Sequence, residues 1–212
     1  MSIYPEGWAP NTWRISGTSL ESGWLAIPAL DQPGEVQAWV AEHATAFREA
    51  WGEAWLPESE ALVPLALQAA LERRRPEDAL AFQLWPSTLP IFAFVHVVMG
   101  RTGVDEPLPG PGDGLLFESS GLGQGVLVPR TIEEQGADLV GYDTVFAFDG
   151  VVVIVSVEPT FSDLLGVLSP SIHRFMDSLE LVDPEGRAQQ AHAPALWEAD
   201  PVNTWVDSLT SS

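Results

Sequence analysis

From Leu139 to Leu181 the chain reads LVGYDTVFAFDGVVVIVSVEPTFSDLLGVLSPSIHRFMDSLEL, and the period of its apolar positions changes along the way. The runs TVFAF and VVVIVSVE are rich in β-branched and aromatic residues, and Asp149-Gly150 joins them. A two-residue Asp-Gly joint supplies the positive φ angles that a tight antiparallel turn needs, so these runs predict a hairpin. Side chains alternate across a strand, which puts Val151, Val153, Val155 and Val157 on one face and Val152 and Ile154 on the other. Both faces are apolar, so both are expected to be covered. Behind the hairpin, Ser169-Pro170 reads as an N-cap followed by the first helical position. Ile172, Phe175, Met176 and Leu179 then repeat at helical spacing and predict a closing helix that packs on the hairpin.

Upstream, the same reasoning predicts an alternation of strands and helices. TWRIS and GWLAIPAL are short strand-like pieces. Pro33 opens a helix whose stripe is Val36, Trp39, Val40, His43, Phe47 and Trp51, and Gly52 stops it. A second helical stretch begins at Pro57-Ser59 and ends at Arg73-Arg74-Arg75, where three cations suit the negative end of the helix dipole. Proline inside a helix removes a donor, so Pro64 predicts that this helix starts near Val63. From Leu80 the period becomes two: LAFQLWP and PIFAFVHVVMG read as antiparallel neighbours, the second apolar on both faces. Residues 101–114 form a proline- and glycine-punctuated loop. LLFES, GVLVP and ADLVGYDTV then lead into the hairpin. Residues 1–182 read as one α+β domain with a mostly antiparallel sheet of five or six strands packed by helices. Residues 183–212 read as an acidic tail carrying Trp197 and Trp205.

Composition sharpens this picture. An apolar fraction of 46% over 212 residues is enough for a true core. The net charge is −21, from 30 acids against nine bases, every one of them arginine. Charged residues total 18%, below the roughly 25% of an average protein, so base is missing more than acid is in excess. A field of one sign repels phosphate backbones and anionic lipid and attracts basic partners. With no cysteine, thiolate chemistry, disulfides and Cys-ligated zinc are excluded. Without a signal-like leader or a bilayer-length apolar run, the expected compartment is the cytoplasm and no membrane partner is expected.

No local motif writes a reaction. Gly121, Gly123 and Gly125 form GxGxG ahead of a strand rather than GxGxxG ahead of a helix, which fits a turn and not a nucleotide loop. Lysine is absent, and with it Schiff-base chemistry; no GxSxG elbow or P-loop is present. His43, His96, His173 and His192 show no metal-ligand spacing, so no metal or cofactor is expected. His96 lies between Phe94 and Val98 and reads first as a core histidine, with general base as its alternative. Glu118 and Asp143 fall in or beside strands and are the carboxylates to pair with it if a pocket forms beneath the 101–114 loop.

The element order, YDTVFAFDGVVVIVSVEPTF and the ending FMDSLEL are similar to the PsbP-like α/β/α sandwich, which is also used by LpqN-type lipoproteins of actinobacteria. The chain departs from those lipoproteins in lacking a lipobox cysteine. The resemblance implies binding rather than catalysis. The expectation is therefore a non-enzymatic protein-binding or adaptor protein, one version being an acidic neutraliser of a basic partner, with Trp197 and Trp205 as contact residues. The alternatives are a small-molecule binder or carboxylate/His enzyme using His96, Glu118 and Asp143, and a homo-oligomer that covers its sheet with a second copy.

Overall fold

The structure, a computed structural model, describes residues 13–18, 21–86, 88, 90–101, 109, 112–134 and 136–193. Trp197, Trp205 and most of the 101–114 loop lie outside them. The chain begins with β1 (Arg14–Ser16), β2 (Trp24–Ala26), α1 (Pro33–Trp51) and α2 (Ser59–Arg73). It continues through β3 (Asp78–Leu84), β4 (Ala93–Arg101), β5 (Leu115–Ser119), β6 (Gly123–Glu134), β7 (Ala137–Ala147) and β8 (Val151–Phe161). α3 (Ser162–Asp177), β9 (Glu180–Val182) and β10 (Ala188–Gln189) complete it.

Among the described residues, seven strands form one sheet in the order β2-β3-β4-β8-β7-β6-β5, and β1-β9-β10 form a small second sheet. Every ladder is antiparallel. The α+β class is as expected, with a larger sheet than the predicted five or six strands. Two meanders, β2-β3-β4 and β5-β6-β7-β8, are joined edge to edge where β4 pairs with β8. The Asp-Gly joint is the tight turn of the β7–β8 hairpin: Gly150 has φ 82°, and Phe148 N–H donates to Val151 O at 2.8 Å.

Helices lie on both faces. α3 packs on β5, β7 and β8, and its Leu168, Ile172, Phe175 and Met176 meet Val95, Val97, Val153, Val155, Val157 and Phe146 in the main core. Burying a large apolar side chain is worth roughly 1.5–3 kcal/mol, so this layer supplies most of the stabilisation. On the other face α1 and α2 cover only the β2–β3–β4 end. There Val63, Ala66 and Leu67 pack with Trp51 and Trp85, while Ala70 packs with Ile27, Ala81 and Phe94. The α1 stripe is the expected one, but apart from Trp51 it is only half-buried, as befits a lid resting on a second helix.

α2 begins at Ser59, within the expected Pro57-Ser59 opening and not at the later start near Val63 that Pro64 suggested, and Pro64 lies inside it. Its first turn is closed by Ser59 N–H to Leu56 O and Leu62 N–H to Glu58 O, so Pro64 interrupts a helix already under way. α3 begins at Ser162, and Pro170 is an interior residue instead of its first position. Pro170 and Gly166, whose carbonyl the proline leaves without a helical donor, are both exposed, so water can satisfy it. The buried stripe Leu168, Ile172 and Phe175 outweighs the proline's penalty. At the C-terminal side, described packing runs past the expected boundary at 182: β10 pairs with β9, and Ala191 is buried in the main core.

Candidate functional site

β4 carries His96 toward the α2 side, between the buried Phe94 and the half-buried Val98. Its ring is 1% exposed, but hydrocarbon does not close around it. Nδ1 donates to Asp78 Oδ2 at 2.8 Å, and Nε2 donates to Glu158 Oε1 at 3.2 Å. Asp78 opens β3, directly after α2, and its Oδ2 also accepts the Arg75 N–H at 2.8 Å. Glu158 comes from β8, where period two places it on the same face as Val152, Ile154 and Ser156. Arg73, at the end of α2, reaches down to Glu158 Oε2 at 2.6 Å and lies 4.8 Å from the Phe94 ring centre. Arg75 stands 3.7 Å from Glu158 Oε1. The arginine run that suits the helix dipole thus also anchors a buried acid–imidazole–acid chain.

The electrostatics follow from that geometry. Burial pushes the His96 pKa down, but the hydrogen bonds and charges of Asp78 and Glu158 together outweigh it and hold the pKa above its ordinary value. Burial likewise pushes Glu158 up, and its contacts to His96 and Arg73 more than reverse this. With a carboxylate at each ring nitrogen, this geometry favours the imidazolium form, in which both N–H groups are engaged. In that state it has no lone pair for a proton or a metal, so the general-base role has no support in this arrangement. Among the described residues no group of three His, Cys, Asp or Glu side chains has metal-holding geometry.

Asp143 shares a cross-strand row with His96, through Ser156. It pairs with Arg130 at 3.1 Å, and Arg130 also donates to Ser156 Oγ at 2.8 Å and to Val157 O at 3.2 Å. Two strand spacings, roughly 9–10 Å, separate Asp143 from His96. Glu118 is exposed on the far edge strand β5 and belongs to another row. His96, Glu118 and Asp143 thus do not converge on one point. The residues that do meet His96 are Asp78 and Glu158, which sequence reasoning missed. The available signal was Glu158 itself, an acid at a period-two position on a face that otherwise reads as apolar.

This polar seam divides the α2-side face. On one side of it the helices roof the sheet. On the other, Val98, Ile154, Val145, Val126 and Leu116 align across β4, β8, β7, β6 and β5. Val152, Ala147 and Val128 flank that row, and all of these except the buried Val126 are half-buried. No described helix lies over them; on β8 this face, with Val152 and Ile154, is half-buried, whereas the Val153 and Val155 face is fully buried. Ile132 and Phe161, in the Leu139 row beyond the seam, are 45% and 61% exposed.

A separate groove of about 560 Å³ runs between the β2–α1 and α2–β3 connections, lined by Ile27, Leu30, Leu71, Arg74, Asp78 and Phe82 among others. Arg74 ties its two walls together by donating to Ile27 O and Asp78 O at 2.8 and 3.1 Å. His96 does not line it.

No protein-family model matches this chain, and no curated protein matches it either. Among the described residues, no helix is long and apolar enough to cross a membrane.

Proposed function

We propose that this chain is a non-enzymatic, cytoplasmic protein-binding module of the PsbP-like sandwich type, which docks a partner on the unroofed half of its large sheet. The observation that carries this reading is the aliphatic row from Val98 to Leu116, crossing five strands with no described helix above it. Val126 is 1% exposed and the other four are half-buried, so the row would form the apolar floor of a docking site. Glu118 and the Asp143–Arg130 pair border it, so the partner that fits presents an apolar strip flanked by lysine or arginine. Charge complementarity would raise the association rate and make it sensitive to salt.

The test is capture from lysate with the full chain and with I154E and V145E, at low and high salt. The expected result is a basic protein retained by the parent, lost from both variants and weakened by salt, with the variants' circular dichroism unchanged. Identical capture by parent and variants removes the reading.

One observation favours a small-molecule alternative. Asp78 lines the groove, and its Oδ1 is buried with no hydrogen bond from any described residue. A small apolar amine or amide would supply the donor. A thermal-shift screen of such compounds checks this; a ligand at about 100 times its Kd adds roughly 2.7 kcal/mol, and no response from any of them disposes of it.

A further inference from the structure

The groove beside Arg74 owes its existence to the way β2 leaves β3. Ile27 N–H donates to Ala81 O at 2.8 Å, and Pro28 has no N–H to continue the ladder. From Asp78 to Leu80 the outer edge of β3 therefore has no strand beside it among the described residues. Arg74 stands in for one, its guanidinium bridging the parting strands through Ile27 O and Asp78 O. The walls around it are mostly apolar, with Ile27, Pro28, Leu30, Leu71, Leu80 and Phe82 lining about 560 Å³, a size that suits a small molecule. Arg73 and Arg75, the neighbours of Arg74, both reach Glu158. Arg74 reaches only the two neutral carbonyls, and its remaining N–H groups have no acceptor among the described residues. It is half-buried, and the loss of water pulls its pKa below the ordinary value. The charge of Asp78 opposes that shift, but Asp78 is already held by His96 at 2.8 Å and by the Arg75 N–H. A desolvated guanidinium is best matched by a carboxylate, which can take two of its N–H groups at once. The orphaned Oδ1 of Asp78 asks for the opposite head group, yet an ammonium brought there would also meet Arg74 and Arg75.

We propose that this groove binds a small monocarboxylic acid with an apolar body, its carboxylate on Arg74 and its hydrocarbon against Ile27, Leu71 and Phe82. The outward field of the chain opposes an anion at a distance, but it is screened over roughly 8 Å. At contact the cations of the lining are Arg74 and Arg75, while Asp31, also on the lining, is exposed to water. The site is independent of the protein-binding reading above. It rests on the small-molecule reading of the groove but takes its head group from Arg74 instead of Asp78.

Isothermal titration of the full-length protein with cinnamate, cinnamamide and cinnamylamine compares three head groups on one body. The expected result is that cinnamate binds about tenfold more tightly than cinnamamide, because a charge-assisted hydrogen bond is roughly twice as strong as a neutral one, and that cinnamylamine binds weakest. R74Q should weaken cinnamate by about tenfold, to the level of the amide. R74K keeps the charge and should retain the preference for the acid. L71W narrows the groove and leaves Arg74 in place, so it should weaken all three probes, and it keeps the test decisive should R74Q fail to fold. Cinnamamide or cinnamylamine binding as tightly as cinnamate overturns the proposal in favour of a head group on Asp78. A preference for the acid that survives R74Q, cinnamate binding untouched by L71W, or no binding of cinnamate at millimolar concentration overturns it outright. Capture of a basic partner on the row from Val98 to Leu116 is read by a different assay at a different place, so either result can fail while the other stands.

Discussion

Replacing His96 by leucine removes the one cation between two carboxylates and keeps roughly the same volume. Glu158 keeps Arg73 at 2.6 Å and is partly exposed, so it tolerates the change. Asp78, 3% exposed, keeps the Arg75 N–H and loses His96, its one charged partner at hydrogen-bonding distance among the described residues. Stranding one member of a buried pair costs roughly 3–5 kcal/mol. At roughly 2–4 °C per kcal/mol for a chain of this size, that loss lowers Tm by about 6–20 °C. The parent has its own dependence. Because the His96 pKa is raised on folding, its contribution is complete below the unfolded value near 6.5 and is lost as pH rises through the higher folded value. The difference between parent and variant should thus be largest below about pH 6.5 and shrink as pH rises through the higher folded value. Urea unfolding followed by tryptophan fluorescence across that range measures it. A deficit below about 1 kcal/mol near pH 6.5, or one independent of pH, would refute the account of His96 as a buried imidazolium.

Other substitutions separate the parts of the fold. R73A should cost only about 0.2–1 kcal/mol, since its side chain is 56% exposed. E158A should cost roughly 1.5–3 kcal/mol because the His96 Nε2–H loses its acceptor; equal losses by urea titration would contradict the seam as described. G141A should destabilise by roughly 1–3 kcal/mol, because the new Cβ would stand 2.5 Å from Val157 O and 2.8 Å from Pro159 N, and backbone cannot give way. G166A, in α3 with open space around it, should instead gain about 0.5–1 kcal/mol; thermal melts of the pair should move in opposite directions. F146A removes a fully buried ring beneath α3 and should cost about 3–5 kcal/mol by the same titration.

How far the sequence carried these conclusions depends on the range of each interaction. The Asp149-Gly150 turn and the α1 stripe are set by residues within a few positions of one another, and both stand in the structure as read. The faces of β8 were legible from period two. Whether anything covers the Val152 and Ile154 face was not, because alternation tells which side chains are together and nothing about what lies above them. The start of α3 was misplaced because a proline after a serine fits the first helical position locally, whereas the α3 face fixes a longer buried stripe. Glu158 stood out as an acid on its strand face, but its pairing with His96, and that of Asp78, was not legible: they are 62 and 18 residues away, brought in by β8 and β3 pairing on either side of β4.

The scarcity of base acquires a structural meaning from where the arginines go. Arg73 and Arg75 face Glu158, Arg130 holds Asp143, Arg174 holds Glu21, and Arg187 holds Asp183 and Glu185. Arg74 is spent on two backbone carbonyls. Most of the nine positive charges are thus directed at groups within the fold, and the surplus of 21 negative charges is left to set the outward field. Because that field acts over about 8 Å at physiological salt, it can orient a cationic partner but cannot hold one by itself. Holding requires desolvated apolar contact, and on the proposed protein-binding reading the row on the α2 side would supply it. Salt should therefore slow the arrival of a basic partner far more than it speeds departure, and substitutions in the row should do the reverse.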